Sequence, residues 1–374
     1  MAQQAGLAGL AGLAGLAGLG SEAGLAGLAG LAGLAGLAGL AGLSQENTPA
    51  VADALIRTRD GIGGTWVPVP ATSLPTGLPF NDIANLKRWE PWVRANIIDA
   101  ELFTQLGFSY ADPTMTLSHL EPAGPTYKPL ATIVRPNPAQ FLAQLDFVNS
   151  YADLRPDRAS EILTQMGGAA AFFTAIPYLH PSRTPYTYEL LSAALRLAGL
   201  VEMRFKHALA CRRPNEYSSQ IQPMILTPSH SSFPSGHATE AFTAATVLSL
   251  LLIATGKKPY TDPIWSTQLI RLASRVAINR TVAGVHFPID SAAGAFLGFT
   301  LGIYLWWRCT SQLVYFDFTF DGTQFVVDFD WTEVIKVFIG VTALPPYLAI
   351  GTAHALTPNP TLKWLWDQAL AEWL

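Results

Sequence analysis

Charge is scarce in this chain of 374 residues: 13% are Asp, Glu, Lys or Arg, 27 acidic against 23 basic, for a net charge of −4. No basic run of the kind that follows a phosphate backbone is present, so no nucleic-acid partner is expected. Cysteine is nearly absent. Cys211 and Cys309 cannot build a disulfide framework and do not report the compartment. No base is placed for Cys211, which reads as a buried structural thiol and not a nucleophile. Long uncharged apolar runs are also missing after the N-terminal tract. The run between Glu240 and Lys257 is 16 residues and that between Asp290 and Arg308 is 17, at or below the lower limit for a spanning helix, roughly 17–25 residues. A longer run from Ile162 to Ser182 contains Pro177, His180 and Pro181. Lys and Arg do not cluster in loops to set an orientation. The expectation is a soluble chain, with membrane association not favoured.

What the first 43 residues do have is an Ala-Gly-Leu triplet, repeated from Ala5 to Leu43 with one break at Gly20-Ser21-Glu22. A period of three drifts around a helix instead of forming a stripe, and glycine at every third place weakens helix. Without proline the tract is not collagen-like. Met1-Ala2-Gln3-Gln4 carries no basic residue, so no signal peptide is expected. A low-complexity extension with no catalytic role is the expectation, and a membrane segment is the alternative, since the tract is long, apolar and uncharged apart from Glu22. Beyond it the expected organisation is an irregular and helical region over 44–137, a helical-bundle catalytic domain over 138–310, a β-hairpin over 311–332 and C-terminal helices over 333–374. The hairpin rests on alternation in Val314–Phe320 and Thr323–Asp330 around Asp321-Gly322. Helices are expected at Pro138–Asp153, Pro156–Tyr178, Tyr186–Arg212, Ala238–Gly256, Asp262–Gly284 and Pro288–Trp307. The last helix, Asn359–Leu374, is amphipathic and carries three tryptophans, a face for the core or for a second subunit.

Three clusters carry chemistry. Ser229–His237 ends in Pro-Ser-Gly-His and feeds directly into an apolar helix. The first N–H groups of a helix lack internal acceptors and sit at its positive end, which suits an anion. Ser235 adds a hydroxyl, Gly236 permits close backbone approach, and His237 adds a titratable group. The second cluster is Lys206 and Arg213-Pro214, seven positions apart, which on a continuous helix share a face. The third is Arg280 followed by His286-Phe287-Pro288-Ile289-Asp290, where Pro288 opens a helix and Asp290 lies within reach of the imidazole. Three cations, two histidines, a hydroxyl and a helix start suit a tetrahedral oxyanion.

In that order the clusters resemble the signature shared by type 2 phosphatidic-acid phosphatases, bacterial class A acid phosphatases and vanadium-dependent haloperoxidases. The likeness covers about 85 residues, from Lys206 to Asp290, and a three-part motif in order is far more specific than any one part. It implies an all-α helical bundle and an anion pocket of Lys206, Arg213, Ser235, Gly236 and Arg280. It further implies His286 bonded to phosphorus or vanadium and His237 as general acid or base. One position departs: Asn279 stands before Arg280 where the family has Ser. Ser274-Arg275 is too far from His286 to substitute.

Two chemistries share such a pocket. As a haloperoxidase, the favoured expectation, His286 holds vanadate as the metal ligand, hydrogen peroxide and halide are the substrates, and Lys206 polarises bound peroxide. As a phosphatase, the alternative, His286 attacks a phosphate ester with Asp290 steadying the imidazolium, and no cofactor is needed. His230, seven before His237, matches the second histidine of bromide-oxidising members, which makes bromide the expected halide. About 160 non-repeat residues before the first cluster also suit a second bundle. Met203, three before Lys206, stands where chloroperoxidases carry Trp. A non-catalytic phosphate-binding scaffold is the third reading, and the presence of both His237 and His286 argues against it.

Overall fold

A computed structural model describes residues 49–374 apart from 123, 125, 168 and 311. The Ala-Gly-Leu tract therefore lies outside the described residues. In chain order the helices are α1 (Pro49–Ile62), α2 (Pro91–Phe103), α3 (Pro138–Ala143), α4 (Leu145–Tyr151), α5 (Arg155–Gln165), α6 (Ala170–Ala175), α7 (Pro185–Leu209), α8 (Pro214–Tyr217), α9 (Gly236–Ala254), α10 (Pro263–Val282), α11 (Pro288–Cys309), α12 (Trp331–Val334) and α13 (Pro360–Ala371). The strands are β1 (Leu106–Ala111), β2 (Thr114–Leu120), β3 (Tyr127–Val134), β4 (Val314–Asp321) and β5 (Leu348–Ala355).

α9 is apolar around its whole circumference and is accordingly the central helix, with α7, α10 and α11 packed around it. Its closest neighbour is α11, and glycine explains why. Gly294, Gly298 and Gly302 recur every fourth residue along one face of α11. A methyl group at Gly298 would lie 2.6 Å from the Thr239 carbonyl oxygen and 2.7 Å from Cβ of Phe242, and one at Gly294 would lie 2.6 Å from the Ser235 carbonyl oxygen. The two backbones meet where those side chains are missing. Gly298→Val should therefore push α11 off α9 and lower stability by about 1–3 kcal/mol, the usual range for overpacking, and toward its upper end because the atoms met include backbone. A thermal unfolding midpoint unchanged from wild type would show the contact to be looser than this.

The chain is mostly helical but not all-α. A five-stranded sheet, ordered β1-β2-β3-β4-β5, lies beside the bundle. β3 and β4 pair in parallel, Ala131 opposite Phe318, and the other neighbours are antiparallel. Tyr315, Phe318 and Phe320 of β4 are buried against the bundle, Phe320 packing on Phe296 of α11. This corrects the expected hairpin. β4 does pair, but with β3 and β5. After it the Asp321 side chain accepts the Thr323 N–H at 2.9 Å and starts a 3₁₀ turn, Gly322–Gln324, instead of a hairpin turn. β1 to β3 fall where only irregular and helical structure was expected.

Two expected helices are each divided, and both breaks have consequences. Between α3 and α4 the Gln144 side-chain oxygen accepts the Ile289 N–H at 2.9 Å, satisfying a first-turn donor of α11. Just beyond α4, α5 ends at the wholly buried Gln165. The C-terminal helix docks on the chain's own core: Trp364, Leu365 and Trp366 are buried, and Glu372 accepts the Tyr186 and Thr187 N–H groups at 2.6 and 2.8 Å, capping the start of α7.

Candidate active site

α7 delivers Lys206 but not Arg213. The helix stops at Ala210, whose φ of 46° is left-handed, and Arg213 follows on an extended segment as the residue before α8. Pro214 thus opens a short helix instead of ending a long one, and the shared helical face expected of Lys206 and Arg213 does not exist. The two cations meet because the loop after α8 folds back between them. Cys211 donates its N–H to Ser231 Oγ at 2.8 Å, and Ser232 donates its own to the Cys211 carbonyl at 3.0 Å.

Lys206 is buried and faces that loop. Its ammonium donates to the carbonyl oxygens of Ser231, Ser232 and Pro234 at 3.1, 3.3 and 2.6 Å, which occupies all three of its hydrogens. Burial lowers its pKa to about 8, against the opposing pull of Glu202. Arg213 is also fully engaged. Nε donates to the His230 carbonyl, Nη1 to the Val285 carbonyl and to His286 Nε2 at 3.1 Å, and Nη2 to His230 Nδ1 at 3.1 Å. Burial brings its pKa down to about 10. His230 is exposed at the rim and reaches the pocket through Arg213; burial of its ring edge and the two cations lower its pKa to about 4.

His286 lies just before α11, and Asp290 in the first turn of that helix is wholly buried beneath it. Oδ2 of Asp290 accepts from His286 Nδ1 at 3.0 Å, from the Phe287 N–H at 2.9 Å and from the Ser232 hydroxyl. A carboxylate only accepts, so the imidazole carries its proton on Nδ1 and turns the Nε2 lone pair toward Arg213. Burial, followed by the charges of Arg213 and Lys206, holds His286 well below its ordinary pKa. It is neutral at pH 7.

Arg280 ends α10. Its Nη2 donates to Gln165 Oε1 at 3.1 Å and to the Ile162 carbonyl at 3.3 Å, while its buried Nε makes no hydrogen bond. Asn279 does not take over the role of a serine at that position. Its amide donates to Glu161 at 2.9 Å and Gln165 at 3.0 Å and accepts from Arg158, tying α10 to α5. His237 Nε2 donates to the Gln165 carbonyl at 3.2 Å, leaving Nδ1 free to take and return a proton. Ser235 caps α9, accepting the Ala238 N–H, and its own N–H donates to the Asp290 carbonyl at 2.9 Å. Gly236 is needed for a reason the sequence did not suggest: a Cβ there would meet the Glu202 carboxylate at 2.4 Å.

Three residues of the site were not singled out beforehand. Ser232 was inside a cluster but unassigned. Gln165 had no local signal, since its carbonyl and side chain reach His237 and Arg280 only in the folded chain. Glu202 had one, a carboxylate about one helical turn before Lys206 on the same face of α7. Of the rest, His207 is exposed, Arg275 pairs with Glu161, and the Cys211 thiol is pushed by burial to about 12, which makes it a poor nucleophile. Among the described residues no group of three or more His, Cys, Asp or Glu could hold a metal ion. A vanadium atom on His286 would rest on one protein ligand and on the cations around its oxygens.

A neutral histidine against a buried arginine, with a buried lysine and the start of an apolar helix nearby, is an arrangement suited to an oxyanion. Residues 187–313 match the PAP2 superfamily. It is 29% identical over 116 residues to the vanadium-dependent bromoperoxidase of Ascophyllum nodosum, covering 25% of this chain and 21% of that one. It is 32% identical over 106 residues to decaprenylphosphoryl-5-phosphoribose phosphatase of Mycobacterium tuberculosis, covering 28% of this chain and 52% of the relative. The likeness thus spans about half or less of these relatives. Among solved structures, the transmembrane PAP2-type phosphatidylglycerolphosphate phosphatase of Bacillus subtilis aligns with a TM-score of 0.36 at 21% identity, over 45% of this chain and 85% of that one.

The expectation of a soluble chain is corrected here. Counting from charge to charge made the apolar runs too short. Allowing a charge near an end, Gly236–Ala254 and Pro288–Cys309 are both long and apolar enough, by length and composition, to cross a membrane.

Proposed function

We propose that the chain is a phosphatase of the PAP2 class, acting on a phosphate ester through a phosphohistidine at His286. This reverses the order of the two chemistries weighed from sequence. The observation that carries it is Lys206. Halide oxidation would require its ammonium to polarise bound peroxide, yet its three hydrogens are committed to the carbonyls of Ser231, Ser232 and Pro234. Hydrolysis asks of Lys206 only what it already does: fix the loop that ends in Ser235 and contribute positive charge.

The reaction follows from the hydrogen bonds. Arg280 and the first N–H groups of α9 take the equatorial oxygens of the phosphoryl group, and Arg213 contributes positive charge beside them. The His286 Nε2 lone pair attacks phosphorus; the P–N bond forms as the ester P–O bond breaks. His237 relays through Nδ1 the proton that the phosphate-ester monoanion brings and passes it to the departing alkoxide. Asp290 steadies the positive imidazole ring. Water then attacks phosphorus and returns a proton to His237, the P–N bond breaks, and inorganic phosphate leaves. Lipid-linked phosphate esters are the substrates to assay first, in keeping with the phosphatase named above.

One observation favours a second reading. His230 sits on Arg213, where it would face a bound oxyanion. The unbonded Arg280 Nε and the α9 start also suit vanadate, which when bound would activate hydrogen peroxide toward bromide. The test divides one preparation between vanadate-free ester hydrolysis and vanadate-loaded bromination. Hydrolysis inhibited by vanadate, with labelled phosphate trapped on His286, is the expected result. Strong bromination that His230→Ala impairs, with feeble hydrolysis, would reverse the assignment.

A further inference from the structure

Glu202 belongs to none of the steps above, yet it is one of the most enclosed carboxyl groups in the chain. It is 2% exposed, and its Oε2 makes no hydrogen bond. It stands one turn before Lys206 on α7 and presses against Gly236, the first residue of α9, at the one place in that helix start where a side chain is missing. A buried, unpartnered carboxylate beside an anion site is opposed twice, by desolvation and by the incoming charge. The neutral acid avoids both penalties.

We infer that Glu202 is a positioning residue that couples oxyanion binding to a proton: as the neutral acid it admits the anion beside Gly236, and as the carboxylate it neutralises Lys206 and repels the anion. This rests on the oxyanion-pocket reading and adds a pH dependence to it. The charged groups that reach Glu202 are Glu240 on α9, Lys206 on its own helix and Arg213 beyond that helix. The pairs Arg94–Glu189 and Arg196–Asp99 engage each other nearer the start of α7. Burial first, then Glu240, raises the Glu202 pKa well above the carboxylate range, against the pull of Lys206 and Arg213. The sign follows. Below the raised value the acid is neutral and binding is strong; above it binding weakens.

The experiment measures vanadate affinity directly, by calorimetry on the full chain, between pH 5.5 and 8, a range at whose upper end Lys206 has lost about half its proton in both proteins. Wild-type affinity should fall about tenfold or more across the range, the lower end of what one neighbouring charge does. Glu202→Gln, permanently neutral, should fall distinctly less over the same range, because titration elsewhere is common to both proteins and only the Glu202 part is removed. In hydrolysis the substitution should lower KM at pH 8 and leave kcat little changed. Equal slopes in the two proteins would overturn the inference. If Glu202→Gln does not fold, Glu240→Gln serves: without the like charge Glu202 ionises earlier, so the fall moves to lower pH, and an unmoved profile overturns the inference. Failure of wild type to bind vanadate at any pH would instead sink the oxyanion pocket itself.

Discussion

His286→Ala should abolish ester hydrolysis, with a loss of kcat of about a thousandfold or more, as removal of a covalent nucleophile does. The helical circular-dichroism spectrum should stay as it is. The ring is tied to Asp290 and Arg213, and its loss leaves Ser232, Phe287 and the Asp290 carboxylate bonded to one another. No labelled phosphate should be trapped. Substantial residual activity with trapping at another residue would move the nucleophile away from His286.

Asp290→Asn tests the orientation of that nucleophile. The carboxylate accepts from Nδ1 and so fixes which nitrogen keeps the lone pair. An amide that turns its NH₂ to the ring would reverse the tautomer, placing the proton on Nε2 and pointing it at Arg213. A loss of about 10⁴ in kcat with little change in KM is expected, as for the same substitution in a serine-protease triad, from which this magnitude is taken. A loss below tenfold would mean that Arg213, bonded to Nε2 from the other side, sets the tautomer by itself.

The parts of this site that could be read from sequence are those whose geometry is local. Ser235, Gly236 and His237 lie in consecutive positions at a helix start. His286 and Asp290 are separated by the turn that Pro288 opens. Spacing alone put each group together. Arg213 was expected on a helical face shared with Lys206, and nothing in the helical pattern announced the left-handed Ala210 that ends α7 and leaves Arg213 on an extended segment. Gln165 was out of reach, since a glutamine at a helix end has no signature until α10 and α9 are packed against it. Glu202 was legible in principle, as a charge on a buried face one turn from Lys206. The sheet shows the same division. The alternation of β4 was visible, while its partners were sought next door in the chain, because a hairpin is the local solution and a parallel pair is not.

That parallel pair has a consequence for how the protein comes into being. β3 ends at Val134 and β4 begins at Val314, so the helices that build the pocket all lie in the loop that this one contact closes. The sheet cannot be completed until the chain beyond α11 has arrived, and closing so large a loop is slow compared with forming the helices inside it. Until then β3 presents an open edge to any other strand. Synthesis from the N-terminus prolongs that interval, and a chain cut short after α11 would never leave it. Such a fragment would hold every residue of the pocket and still be expected to self-associate along β3.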